Sequence, residues 1–196
     1  AEHLLIERIN EDELINKINS QISWWKKYTE INGSSLNNNP SPGNKKGGLT
    51  TILEKSLGAV AKSGSSTMIN VLNYSERIST KGFNFMDSPG YDPVSVTGQV
   101  AAGANIICFT TGRGSCFGFK PSPSIKIATN TNMYNKLLED MDVNAGTIMD
   151  GESDIKKVGK EIFEKIISVA SGEKSKSEIN GYGDDEFNPW IIGATI

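Results

Sequence analysis

The stretch Asn105-Ile106-Ile107-Cys108-Phe109-Thr110-Thr111-Gly112-Arg113-Gly114-Ser115 decides the fold, because a short apolar run breaks abruptly on glycine, arginine and hydroxyls. An apolar run without polar alternation predicts a strand buried on both faces, and such strands belong to parallel sheets covered by helices. The neighbouring segments agree. Helical spacing runs over 94–103 just before it, and 124–129 offers another buried strand just after. Further out, 50–61 predicts a helix, 67–72 a strand, 132–141 a helix, 147–149 a short strand and 154–170 a long helix. On that last helix Val158, Ile162, Ile166 and Val169 share one face. Alternating helices and strands imply an α/β fold: an open, largely parallel sheet with right-handed crossovers and helices on both faces, in Rossmann-like layers.

At the N-terminal end Leu14, Ile18, Ile22, Trp25 and Tyr28 recur at helical spacing, and Asn10 with Glu13 resembles a capping box. A helix over 11–31 follows, and residues 1–35 are expected to form a helical arm ahead of a body over 36–196. Residues 32–48, rich in Gly, Ser, Asn and Pro, predict a loop between the two. Trp24, Trp25 and Tyr28 offer either a binding stripe or, as is usual at this spacing, packing. The polar tail ends in Phe187-Asn188-Pro189-Trp190-Ile191-Ile192, expected to dock back on the body. Ala1, followed at once by helical pattern, suits a piece cut from a longer chain.

The composition excludes several function classes. The chain has 196 residues, with 20 basic and 23 acidic side chains, so it lacks the basic excess that phosphate-backbone binding needs, and nucleic acid is not an expected partner. No apolar run approaches the ~20 residues of a membrane span, and Glu2 and Glu7 are unlike a signal peptide, so a cytoplasmic protein without a membrane partner is expected. Cys108 and Cys116 have no metal spacing and read as reduced thiols, and a single histidine, His3, argues against a multi-histidine cage.

Chemistry is expected at the carboxyl ends of the strands, where loops and helix N-termini meet. Thr110, Thr111 and Arg113 on their glycines suit an anion: guanidinium grips a carboxylate in bidentate fashion, while hydroxyls and backbone N–H groups donate the rest. The alternative is a tight turn whose arginine pairs with an internal acid. The same loop falls short of a dinucleotide fingerprint, since Phe117 stands at the third glycine, and the 43–50 loop lacks the ending of a phosphate loop. Asp87 suits either a ligand or a turn or cap, Glu139, Asp140 and Asp142 a solvated helix end, and Glu54 and Lys55 either an exposed pair or a tuned acid and base.

Taken in order, Pro40 through Gly58, Met86-Asp87-Ser88-Pro89-Gly90, Thr97 through Ala104, Phe109 through Ser115 and Asp140 through Gly146 resemble the altronate dehydratase and galactarate dehydratase family of sugar-acid hydro-lyases. The resemblance covers the final stretch of much longer members and implies the C-terminal domain of an enzyme making a 2-keto-3-deoxy acid, inactive on its own. It implies Arg113, Thr110 and Thr111 on the substrate carboxylate, Asn44 and Asp87 on sugar hydroxyls, and Lys55 as general base or electrostatic partner oriented by Glu54. It also implies a divalent iron or manganese ion with ligands outside this chain and the remaining domains of the parent enzyme as partners; the oligomeric state stays open, with a homo-oligomer as one option. A structural or oligomerisation module without substrate contact is the alternative, and a domain for a phosphorylated ligand a weaker third.

Overall fold

Two small parallel sheets, rather than one layered sheet, carry the helices in the computed structural model, which describes residues 1–36, 39–46 and 49–192. The described residues divide into two compact units, one of residues 1–89 with the tail from Trp190, the other of residues 90–189.

In the first unit, α1 (Glu2–Ile6) leads into α2 (Asp12–Ile31), then α3 (Pro42–Lys46) and α4 (Ile52–Lys62). Strand β1 (Met68–Leu72) pairs in parallel with β2 (Phe83–Met86). The face of α2 that carries Leu14, Ile15, Ile18 and Ile22 closes over Met68 and Val71, so the helix at the start of the chain builds the core of this unit. Arg8 ties the α1–α2 corner to the end of α4, its guanidinium donating to Ser63 Oγ at 2.7 Å and to the Ser66 carbonyl at 2.8 Å. The loop expected over 32–48 contains the short α3, and its Asn37, Asn38, Gly47 and Gly48 lie outside the described residues. At the tail, Trp190 stacks on Trp25 with ring centres 5.3 Å apart and meets Tyr74 edge-on, so the α2 aromatics are engaged in packing.

The second unit opens with α5 (Asp92–Ala102), which ends at Gly103 in the left-handed region at φ 119°, where a side chain would strain the turn. It continues through β3 (Ile107–Thr111), β4 (Ser124–Ala128), α6 (Thr131–Lys136), β5 (Val143–Asn144), a 3₁₀ turn (Ala145–Ile148), α7 (Ile155–Ala170) and α8 (Lys176–Ile179). Its strands pair in parallel in the sequential order β3-β4-β5. Every residue of β4 is buried. Ile125 and Ile127 pack with Val143 against Ile162, Ile166 and Val169 of α7, and Ala128, on the other face, meets Met133 and Met141.

Three expectations need correction. The layered Rossmann-like arrangement gives way to two separate sheets: the 83–86 run is extended and takes the edge of β1. In the second sheet, the strand order shows no reversal, and no described helix joins β3 to β4. The short strand lies at 143–144 rather than 147–149, since Asn144 turns the chain by accepting the Gly146 N–H at 3.0 Å. The helix over 132–141 stops at Lys136 because Asp142 is drawn into the sheet, its N–H donating to the Lys126 carbonyl at 2.8 Å.

Candidate functional site

The Arg113 loop begins where β3 ends. Thr111 shapes it, with its carbonyl accepting the Thr129 N–H at 3.0 Å and its hydroxyl accepting the Gly114 N–H at 3.0 Å. Gly114 takes φ 98°, a conformation that glycine adopts freely. Asn130 fixes the loop from the other side. Its amide donates to the Gly112 carbonyl at 2.9 Å while its oxygen accepts the Met133 N–H at 2.8 Å and caps α6. Between these anchors the Arg113 side chain is exposed, and no partner for its guanidinium occurs among the described residues. The internal carboxylate that a purely structural turn would supply is therefore absent among them. Thr110 and Thr111, adjacent in a strand, point to opposite faces, so only one of them shares the Arg113 side, and the Thr111 hydroxyl is already engaged with the turn. Beside the loop, Thr131 Oγ1 bonds to Asp150 and receives the Asn144 amide at 3.0 Å, which joins the ends of β4 and β5.

The first unit holds the other sequence-predicted residues. Asp87 follows β2, its N–H bonded to the Leu72 carbonyl at 3.0 Å and its Oδ1 accepting the Trp25 indole N–H at 2.8 Å. It lines a cavity of about 470 Å³ with Gln21, Trp24, Asn73, Tyr74 and Trp190. Burial raises its carboxyl above the ordinary value, against the lowering effect of the Trp25 and Ser88 hydrogen bonds. Native Asp87 thus holds its proton more tightly than the unfolded chain does. The associated stability is present below the ordinary carboxylate value and is lost as pH rises through the raised one. Asp87→Asn, which keeps an acceptor for Trp25, is expected to raise the unfolding midpoint at pH 7 by roughly 2 °C. The gain should vanish at pH 3. Thermal unfolding at both values checks this, and an equal gain at both would show that charge is not its source.

Glu54 and Lys55 do not form a pair. The Glu54 carboxylate accepts both the N–H and hydroxyl of Thr50 at 2.7 Å, bonds that hold it below its ordinary pKa and secure the start of α4. Lys55 donates to the Asn39 amide oxygen at 2.7 Å. Asn44, half-buried on α3, gives its carbonyl to the Leu49 N–H at 3.1 Å.

Asp140 and Asp142 are not a solvated helix end. Asp142 receives the backbone N–H groups of Lys126 at 2.8 Å and Lys176 at 3.0 Å, so it fastens α8 to β4. Asp140 faces the Lys126 ammonium at 3.7 Å, and that lysine side chain is wholly buried. Sequence reasoning passed over Lys126 although the signal was present: a lysine in a strand read as buried on both faces has no solvent to reach. Cys108 and Cys116 are free. Among the described residues no three His, Cys, Asp or Glu side chains converge, so these residues do not by themselves make a metal site, and none of their helices is long and apolar enough to cross a membrane.

Comparison with known proteins agrees with this reading of the sequence. Residues 1–195 match the family described as D-galactarate/altronate dehydratase, C-terminal. The chain is 42% identical over 174 residues to a galactarate dehydratase (L-threo-forming) of Escherichia coli (strain K12), covering 89% of this chain and 33% of that protein. It is 38% identical over 182 residues to an altronate dehydratase of Bacillus subtilis (strain 168), covering 93% of the chain and 36% of the relative. With the altronate dehydratase of Escherichia coli (strain K12) the identity is 35% over 182 residues, with the same two shares, 93% and 36%. The chain thus spans about a third of the length of these relatives.

Proposed function

Because the chain belongs to the D-galactarate/altronate dehydratase family, we propose that it forms the C-terminal part of a hydro-lyase acting on a sugar acid of the altronate or galactarate type. The reaction removes water and leaves a 2-keto-3-deoxy acid. One observation carries the assignment of roles: Arg113 is exposed and unpartnered among the described residues, on a loop held rigid at both ends beside a parallel strand's carboxyl end. A guanidinium so placed keeps its donors for a carboxylate outside the chain. One of Thr110 and Thr111 adds a hydroxyl on the Arg113 side of the same strand end, Asn44 and Asp87 suit sugar hydroxyls, and Lys55 serves as an electrostatic partner beside the helix start that Glu54 secures. A divalent iron or manganese ion bound by residues outside this chain belongs to the same proposal. So do the remaining domains of the parent protein, a homo-oligomer and a cytoplasmic setting. No step here is assigned to the metal.

A second reading, that this region serves assembly, draws on α7. Ile155, Phe163 and Ile167 lie along one side of that helix and are 75%, 61% and 51% exposed, a stripe suited to a protein partner. The deciding experiment is an assay of the intact protein on altronate and galactarate, with added iron or manganese, following the 2-keto-3-deoxy product. Turnover of one acid at least about tenfold better than the other is the expected result, with none from the isolated chain. Failure of the intact protein to dehydrate any sugar acid overturns the enzyme reading in favour of assembly.

A further inference from the structure

The three tryptophans of the chain, Trp24, Trp25 and Trp190, meet beside the cavity of about 470 Å³ in the first unit. It lies where β1 and β2 end. Leu72 and Met86 are paired in register, so the residues that follow them, Asn73 and Asp87, emerge side by side at the carboxyl edge of this sheet. Gln21 and Trp24 reach the cavity from α2, and Trp190 from the tail. Its aromatic walls brace one another without a ligand: Trp190 meets both Trp24 and Tyr74 edge-on with ring centres 5.5 Å apart, and stacks on Trp25. The volume falls within the ~300–1,000 Å³ usual for small-molecule sites.

The polar lining narrows what fits. Gln21 Nε2 donates to the Leu72 carbonyl at 3.1 Å and to Asn73 Oδ1 at 3.3 Å, which orients both amides. The Asn73 side chain is exposed, and its own N–H groups have no partner among the described residues. Gln21 Oε1 is buried without a hydrogen-bond partner, an uncommon state that an incoming donor would relieve. Asp87 accepts the Trp25 indole N–H on one oxygen, and a carboxylate has room for further donors. No lysine or arginine lines the cavity. Lys17, one helical turn before Gln21, is taken by Glu76 at 3.1 Å.

Flat aromatic faces suit the C–H side of a sugar chain, and amides with a carboxyl pair with its hydroxyls. A carboxylate fares otherwise here, because it would lose its water, find no cation and face Asp87.

We propose that this cavity is the subsite for the uncharged, hydroxylated end of the sugar acid, with Asn73, Gln21 and Asp87 on its hydroxyls. It thereby selects an acid with one carboxylate and a terminal alcohol, as in altronate, over one with a carboxylate at each end, as in galactarate. The inference deepens the dehydration reading above and rests on it.

Kinetics of the intact protein at pH 8 are expected to show kcat/KM for altronate at least about tenfold above that for galactarate. Asp87→Asn keeps an acceptor for Trp25 and removes the negative charge, while Asn73→Lys places a cation at the exposed rim. Each is expected to cut that ratio by about tenfold or more. A folding defect would lower both acids together and leave the ratio where it was. A parent without a preference for altronate, or a ratio that neither variant moves, overturns the proposal and leaves the dehydration reading standing. A parent that dehydrates no sugar acid overturns both.

Saturation-transfer NMR of the parent, without added metal and with aromatic protons irradiated, gives a readout independent of turnover. The hydrogens at the alcohol end of altronate should receive most of the saturation, since that end lies against the rings. Strongest transfer at the carboxylate end, or none, overturns the proposal. Transfer to altritol, the sugar alcohol that lacks a charged head, with none to altronate would assign the cavity to a free neutral sugar and overturns it as well.

Discussion

Gly146→Ala is expected to destabilise the protein by about 3 kcal/mol, a fall of roughly 6–12 °C in the unfolding midpoint for a chain of this length. The residue is buried at the first turn after β5, where the chain passes against the start of α6. A Cβ there would lie 2.2 Å from the Thr131 nitrogen, 2.5 Å from the Asn130 carbonyl carbon and 2.6 Å from the Asn130 Cα. These are backbone atoms, so no rotamer change relieves the overlap. Either the turn or the helix start must move. Asn130 caps α6 and also holds the Gly112 carbonyl, so the displacement reaches the Arg113 loop, and a loss of substrate binding should accompany the loss of stability. Gly159→Ala is the natural control: it lies within α7 with nothing inside 4 Å of an added Cβ, so it should stabilise by roughly 0.5–1 kcal/mol. Thermal or denaturant unfolding of both variants checks the argument. A Gly146→Ala protein as stable as its parent would mean that β5 and α6 are not in contact as described.

The contrast between these glycines shows what a single sequence can and cannot display. Elements defined by side-chain periodicity were legible. The apolar stripes of α2 and α7, and the short runs of β3 and β4, match the observed elements to within a residue or two at each end. Elements defined by pairing were not. Phe83-Asn84-Phe85-Met86 has no period long enough to separate strand from connection, and it becomes β2 only because β1 offers an edge. Whether strands join one sheet or two depends on such edges, so the layered expectation failed although most strands were in place. For the site, the same division holds. The glycines around Arg113 announced an irregular, anchored loop. Lys126 was hidden by its own strand: an apolar run draws attention to its hydrophobic members, and the meaning of the lysine emerges only when both faces of β4 prove to be covered.

Arg113→Ala in the intact protein is expected to lower kcat/KM for a sugar acid by roughly 10²-fold, about 3 kcal/mol, with stability unchanged to within about 0.5 kcal/mol. The two halves of this expectation come from the same geometry. An exposed guanidinium with no partner among the described residues contributes little to folding, so its removal leaves the protein intact. Its loop is fixed by Thr111 and Asn130 before any ligand arrives, so little ordering free energy is spent on binding, and the full charge-assisted bond is available to a carboxylate. Arg113→Lys separates charge from shape, because lysine keeps the charge and loses the planar fork; an intermediate loss is expected. The division between constants is informative as well. A carboxylate held equally in the ground and transition states gives a raised KM at constant kcat, whereas a grip that tightens as the enediolate forms lowers kcat too. Steady-state kinetics of the three proteins, with unfolding curves as the check on folding, distinguish these cases. Kinetics of Arg113→Ala identical to the parent's would remove Arg113 from substrate recognition and leave its loop with a purely structural purpose.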